Sequence, residues 1–429
     1  MSRFVVMFIA GVVATNIVST ATAQVADKDI AKMLTEGRLA DGATAMQTAI
    51  KSNSNDHAAR FGLGIVQFLQ AVEGLGQDQF RYGLLGNRRQ AIPFMRLPIP
   101  ENDAPEQISY EKFRAIIQNM VTRLATAEAT LAAVKPAGVK LPIPIGQIRL
   151  DLNADGIATD EESLWNILEG LQNGGRNVEG QPDVNQLVIA FDDADVLWLR
   201  GYCHVMGAMG EVMLAYDGSD QFERTFHLFY PNVESPYPHL QSEGPGPLSG
   251  FNGQNILDVI ALIHTVNYEV REPERMKTAL AHLESVVTLS RDSWRLINAE
   301  TDNDREWLPN ANQTAAFGGM TISAETQESW QAFLNEAELI LQGKKLLPYW
   351  RGIEGGFTPF DNQFPANAKV GINLRRVFTE PARFDLILWL QGTAQQQYLE
   401  EGEQTDPDFW RETMTGFRGQ FFLFLVWFN

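Results

Sequence analysis

The sequence predicts a mainly α-helical fold, and two observations support this prediction. Apolar residues recur at helical spacing in most long segments, whereas alternating or strand-like runs are few and short. The strand-like runs also do not alternate with helices in the βαβ order that a parallel sheet requires. With 45% hydrophobic residues among 429, the chain has enough apolar material for a large core. We therefore expect a multi-helical protein with few short strands and one short strand-loop-helix segment.

The chain begins with the pattern of a secretory signal peptide. Arg3 precedes an apolar stretch over residues 4–14, and Ala21-Thr22-Ala23 fits an A-x-A cleavage site. The apolar stretch is too short to cross a bilayer. The sequence therefore predicts cleavage near Ala23-Gln24, a periplasmic or secreted location, and no membrane span in the mature chain.

Residues 24–137 are predicted to form an N-terminal helical unit. Between residues 27 and 76, small and aromatic residues such as Phe61, Gly62 and Gly64 resemble the helix pair of a tetratricopeptide repeat. About three such repeats are needed for a stable solenoid, and only one is visible. We therefore expect a single helical hairpin, followed by a long amphipathic helix over residues 107–135.

The next unit, residues 138–195, contains the most specific motif of the chain. Residues 151–162 match the full D-x-[DN]-x-[DN]-G-x5-E spacing of an EF-hand calcium loop. Ca²⁺ prefers six to eight oxygen ligands at about 2.3–2.6 Å, which a chain can supply by curling once around the ion. The predicted ligands are the side chains of Asp151, Asn153 and Asp155, the Ile157 carbonyl, Thr159 directly or through a water, and both oxygens of Glu162.

Two departures from a complete EF-hand narrow this prediction. The preceding residues, 141–150, contain prolines and β-branched residues that favour an extended chain, so we expect the loop to be entered from a strand. Ala158 stands where paired hands carry a larger aliphatic residue, and no second loop matches the spacing. The segment resembles a solitary half EF-hand of extracellular calcium-binding proteins, with a helix predicted from Asp160 onward. The competing interpretation is an acidic turn that caps a helix and binds no metal.

A second strand-like run, residues 186–191, ends in an acidic sequence that includes Asp192 and Asp195. If it pairs with residues 148–150, one of these aspartates would lie near the calcium loop. The other interpretation is that an aspartate here caps the next helix, predicted over residues 196–216.

Residues 196–429 are predicted to form a C-terminal helical domain. Helices are expected over residues 256–266, 273–298, 324–343, 381–392 and 407–416, with a short strand over residues 372–378. The apolar run 421–428 is short enough to be a buried element rather than a membrane span.

Charge and cysteine content exclude several classes of protein. The formal net charge is −19, and loss of Arg3 with the signal peptide would make it −20. This charge argues against nucleic acid or an anionic membrane as a partner and suits a calcium-rich exterior. Cys203 is the single cysteine, which rules out an internal disulfide. Calcium is therefore the one ligand that the sequence specifies.

The chain has no readable catalytic motif, and no catalytic residue is assigned. Sequences typical of serine or cysteine nucleophiles, phosphate loops and zinc sites are absent. A secreted, acidic, tryptophan-rich helical chain nevertheless resembles (α/α)-toroid glycosidases and polysaccharide lyases. This resemblance implies paired carboxylates and aromatic platforms for sugars. The candidate acids are Asp192, Asp195, Asp302 and Asp304, and the candidate platforms are Trp198, Trp307 and Trp350.

Overall fold

The computed structural model describes residues 30–85, 97–135, 138–166, 187–241, 253–304, 306–316, 322–349, 370–417 and 421. Over these residues the chain is mainly helical with a few short strands, which confirms the predicted fold class. The helices are α1 (Leu39–Ser52), α2 (His57–Arg81), α3 (Tyr110–Ala132), α4 (Asp193–Ala215), α5 (Ser219–Thr225), α6 (Gly253–His264), α7 (Pro273–Ile297), α8 (Ala324–Leu341), α9 (Leu374–Thr379), α10 (Leu386–Gln391) and α11 (Pro407–Gly416).

The long helices α1, α2, α3, α4 and α7 pack in succession, each against the next. A continuous cluster of buried residues runs through this stack and extends from Ile30 to Phe421. Arg114 on α3 links three elements, because its guanidinium donates to the carbonyls of Leu214 and Tyr216 and contacts Glu272 at 2.6 Å. The stack is thus held by apolar packing together with a buried arginine at the end of α4.

Three small antiparallel sheets lie between the helices. Strand β1 (Lys140–Ile143) pairs with β2 (Ile189–Asp192), so that Lys140 lies opposite Asp192. The second sheet has the order β3 (Tyr216–Asp217), β4 (Asn267–Val270), β7 (Phe384–Asp385), and the third has the order β5 (Leu347–Pro348), β6 (Val370–Ile372), β8 (Leu399–Glu401).

Two sequence expectations about strands are wrong. Residues 148–150 do not pair with the second strand-like run; Arg149 instead bridges to Ser163, and β1 takes the place beside β2. The strand expected over residues 372–378 ends at Ile372. There the Asn373 side chain accepts the Arg376 N–H at 3.3 Å and starts helix α9.

Cys203 is a free, buried thiol on α4. Among the helices of the described ranges, none combines the length and hydropathy that crossing a bilayer would take. The predicted signal peptide and residues 422–429 of the apolar C-terminal run lie outside the described residues.

Candidate calcium loop and carboxylate cluster

The loop at residues 151–162 follows an extended segment, and the residues at its end form backbone hydrogen bonds with that segment. A 3-10 turn (Ile145–Gln147) precedes the extended residues 148–150, so no helix enters the loop. The Leu150 N–H donates to the Glu162 carbonyl, and the Leu164 N–H donates to the Ile148 carbonyl at 2.8 Å. The exit begins with a 3-10 turn (Asp160–Glu162) and becomes α-helical only at residue 164, later than expected.

The side-chain oxygens of three predicted ligands accept hydrogen bonds from backbone N–H groups of the loop. The carboxylate of Asp151 accepts from the N–H groups of Asp155 at 3.2 Å and Gly156 at 3.0 Å. Asn153 accepts from the Asp155 N–H, and Asp155 accepts from the Ile157 N–H at 2.7 Å. Gly156 takes a φ of +85°, which a residue with a side chain rarely adopts. The loop therefore curls around its own side-chain oxygens, which accept from backbone N–H groups of the same loop.

The side chain of Glu162, the last predicted ligand, accepts hydrogen bonds from other residues of the loop. Its side chain is buried and accepts from the Leu152 N–H, the Thr159 N–H and the Thr159 hydroxyl, each at 2.9 Å. Glu162 and Thr159 thus form a reciprocal cap on the exit turn. Within the described ranges, Asp151, Asp155 and Glu162 are not among the carboxylate triads whose oxygens lie within 4.8 Å of one another. Metal ligation by Glu162 would therefore replace these hydrogen bonds.

The outer side of the loop packs on the N-terminal helices. Leu152 is fully buried against Gly76 of α2, where an added Cβ would lie 2.5 Å from the leucine side chain. Ala158 packs on Gly37, where an added Cβ would lie within 2.2 Å. Ala158 therefore has a small residue as its neighbour in place of a second calcium loop.

Sequence reasoning did not identify Glu73, which lies at the base of the loop. Its carboxylate accepts the Asp151 N–H at 3.0 Å. Burial raises the pKa of Glu73 to about 7, and the nearby charges of Asp151 and Glu162 act in the same direction. No local pattern around Glu73 marks it, because its proximity to the loop depends on packing between residues 78 positions apart.

A second group of carboxylates forms where β1 and β2 meet the residues after α7. Oxygens of Asp192, Glu300 and Glu306 lie within 4.8 Å of one another, as do oxygens of Asp302, Asp304 and Glu306. We call these five residues the carboxylate cluster. The Lys140 ammonium contacts Asp302 and lies 2.7 Å from Asp304.

Protonation differs across the carboxylate cluster. Burial raises the pKa of Glu300 to about 8 and that of Glu306 to about 7, with negative neighbours adding to both shifts. The hydrogen bond from Lys140 instead lowers the pKa of Asp302. Near neutral pH, protonated and ionised carboxyl groups therefore stand side by side.

Asp192 is the last residue of β2 and the N-cap of α4, and Asp195 lies in the first turn of α4. Asp192 accepts the Ala194 N–H at 2.8 Å, and Asp195 accepts the Asp192 N–H at 3.0 Å. Burial raises the pKa of both carboxyl groups. The helix-capping interpretation is thus confirmed.

Of the candidate sugar platforms, Trp307 is buried and lies edge-on to Trp198 with ring centroids 5.4 Å apart. Trp198 also contacts Tyr202. These two rings pack mainly against other aromatic residues of the core. Trp350 lies outside the described residues.

Comparison of the chain with protein families, with curated proteins and with solved structures finds no match. Interpretation of both sites therefore depends on their own residues.

Proposed function

We propose that the protein binds calcium at residues 151–162 and uses the ion to stabilise its fold. The observation that supports this most directly is the curl of the loop. Asp151, Asn153 and Asp155 present side-chain oxygens at alternate positions around a Gly156 turn. Carboxylate, amide and carbonyl oxygens in this order are the ligands that Ca²⁺ prefers.

The charge distribution supports a cation at this place. Glu73, Asp151 and Glu162 concentrate negative charge around the base of the loop. The ion pair of Arg149 involves Asp160, whose side chain is exposed and is not a predicted ligand. A divalent cation would offset the repulsion among the inner carboxylates.

A structural role follows from what the loop contacts. It packs on α2 through Leu152 and on the preceding N-terminal turn through Ala158. An ion that favours the folded loop would therefore stabilise the contact between distant parts of the chain. The amino-terminal sequence supports export, and exterior calcium is high enough to fill weak sites.

Thermal melts and calorimetric titration with Ca²⁺ test the proposal. At a free calcium concentration one hundred times the Kd, the folded state should gain about 2.7 kcal/mol. Asp151→Asn and Glu162→Gln should reduce the gain, and a chelator should abolish it. Asp160→Asn is the matched control, because it removes one charge from the same loop at an exposed position that is not a predicted ligand. A wild-type melting curve unchanged by Ca²⁺ would refute the proposal.

The carboxylate cluster supports a second candidate function, that of a secreted glycosidase or polysaccharide lyase with a structural calcium. Three of the four candidate acids come together there, and the cluster combines a raised pKa at Glu306 with a lowered one at Asp302. Such a difference suits a general acid beside an ionised carboxylate. The packed state of Trp198 and Trp307 makes this the weaker candidate.

A polysaccharide depolymerisation screen tests this second function. Glu300→Gln and Glu306→Gln should abolish any product formation. Asp220→Asn, an exposed acid paired with Arg224 elsewhere on the chain, should retain it. Activity that survives both glutamine variants would exclude the cluster as its source.

A further inference from the structure

Helices α6 and α10 carry a concentrated set of exposed aliphatic side chains. In the described ranges, eight of the ten exposed large hydrophobic residues lie on these two helices. They are Ile256, Leu257, Val259, Ile260 and Ile263 on α6 and Ile387, Leu388 and Leu390 on α10, with exposed fractions of 43–71%. We call these eight residues the apolar face.

The two helices are neighbours because the strands beside them pair. Strand β4 follows α6, strand β7 precedes α10, and the two strands are antiparallel partners. The Leu386 N–H also donates to the Val266 carbonyl at 3.0 Å. The exposed residues of both helices can therefore contribute to one surface.

The inner side of helix α6 packs on the rest of the chain through an apolar and a charged residue. Leu262 packs against the core, and Asp258 lies 3.6 Å from the His227 ring. The exposed aliphatic residues of α6 therefore lie on the side that these contacts leave uncovered in the described ranges. The outer side of α6 is thus suited to a further protein surface.

The size of the apolar face fits half of a stable interface. Its eight side chains together expose about as much as four whole aliphatic side chains, or on the order of 600 Å². The largest patch on a typical monomer is about 300–600 Å², and each partner in a standard interface buries about 800 Å². The apolar face is therefore at the upper limit for a free monomer surface.

The charges around the apolar face favour a second copy of this chain over a lipid surface. Neither α6 nor α10 contains a lysine or arginine, and the whole chain carries a charge of −19. Helices that lie on membranes usually present basic residues to the lipid headgroups. Glu269 on β4 and Arg383 directly before β7 form an exposed ion pair within the chain at 3.2 Å, so these two charges are already neutralised beside the two helices. A face whose nearby charges are paired can pack on an identical face across a twofold axis.

We propose that the apolar face binds the same face of a second copy and forms a twofold-symmetric dimer. The aliphatic side chains of the two copies pack together, and the Arg383–Glu269 ion pair of each copy stays within its own chain. Since the apolar residues supply most of the buried surface, the association persists at high salt.

Sedimentation velocity of the full mature chain over about 1–100 μM tests the proposal at low and at high salt. Wild type should form dimers at both salt concentrations. Ile260→Asp should raise the dimer dissociation constant by about 100-fold or more, because each copy would bury an unpaired carboxylate. Leu390→Asp, at the most exposed position on the other helix, should act in the same direction. Met209→Asp is the control, because Met209 is a comparably exposed hydrophobic residue on α4, outside the apolar face.

Several outcomes would overturn the proposal. Wild type that is monomeric throughout this concentration range excludes the dimer. A dimer that Ile260→Asp and Leu390→Asp both leave intact, with circular dichroism showing folded variants, places the interface elsewhere. Monomeric wild type that sediments with neutral phosphatidylcholine vesicles would assign the apolar face to lipid.

Discussion

Substitution of Gly76 by alanine should weaken both the fold and calcium binding, because Gly76 leaves room for a residue of the loop. The added Cβ would lie 2.5 Å from the Leu152 side chain, about 1 Å inside the optimal carbon-carbon separation. Leu152 is fully buried and cannot turn into solvent. Overpacking of this kind costs about 1–3 kcal/mol. Alanine regains about 0.5–1 kcal/mol as the better helix former, which leaves a net loss of up to about 2.5 kcal/mol.

Urea denaturation followed by tryptophan fluorescence measures this loss, with Gly42→Ala as the matched control. Gly42 is also a helical glycine, but its Cβ would meet Val66 at 3.5 Å, which is an ordinary contact. Gly42→Ala should therefore stabilise the protein by up to about 1 kcal/mol and leave the calcium titration unchanged. Gly76→Ala should shift the calcium titration to higher concentration, because Leu152 lies between two predicted ligands.

A double-mutant cycle separates this contact from a general effect on α2. Leu152→Ala alone should cost about 2–5 kcal/mol through the cavity it leaves. In the double variant the new methyl group of Gly76→Ala meets no leucine. The combined loss should then fall short of the sum of the two single losses by the overpacking cost of about 1–3 kcal/mol. Additivity within about 0.5 kcal/mol would refute the reasoning.

Three further predictions concern the helical core and the carboxylate cluster. Burial lowers the pKa of His282, and the neighbouring His204, whose Nδ1 lies 2.7 Å from that of His282, acts in the same direction. Because the unfolded chain binds a proton that folded His282 excludes, the contribution of this histidine to stability should be complete above about pH 6.5 and fall as the pH drops below that value. The raised pKa values of Glu73, Glu300 and Glu306 change stability in the opposite direction over this range, so wild type is compared with His282→Gln. Relative to His282→Gln, the urea midpoint of wild type should fall between pH 7.5 and pH 5. Arg114→Met should cost about 1–3 kcal/mol for each carbonyl that loses its donor, those of Leu214 and Tyr216, whereas Glu272 keeps its pair with Arg275. Arg271→Met, which removes one exposed ion pair with Glu111, should cost no more than about 1 kcal/mol in the same denaturation assay. Lys140→Met should raise the pKa of Asp302 toward its usual value in an NMR titration, and an unchanged pKa would show that the Lys140 contact is not formed in solution.

The helices were the most predictable part of the fold, because their ends carry local signals. The helix expected over residues 273–298 is observed as Pro273–Ile297, with proline in its first turn. The helix expected over residues 381–392 begins only at Leu386, because Phe384 and Asp385 first pair with β4. In this second case a long-range strand contact overrides the local pattern.

The two sites differ in how far the sequence could predict them. The curl of the calcium loop follows from spacing within twelve residues, so it was predictable. The carboxylate cluster was not, because it depends on Lys140 lying opposite Asp192 and on residues more than 100 positions further along the chain. The sequence identified Asp302 and Asp304 as candidates, whereas Glu300 and Glu306 became visible only once packing brought them beside Asp192.

If the protein binds calcium as proposed, the contact between Ala158 and Gly37 would make the turn at residues 36–37 part of the calcium equilibrium. The Arg149 N–H donates to the Leu34 carbonyl at 3.1 Å, so the N-terminal turn is bonded to the strand that enters the loop. Linkage is reciprocal. If bound calcium favours the ordered turn by some factor, loss of the ordered turn must lower the calcium affinity by the same factor. Removal of residues 24–37 should therefore lower calcium affinity although none of them is a predicted ligand. Proteolysis near the amino terminus would then act as a switch on a metal site more than one hundred residues away.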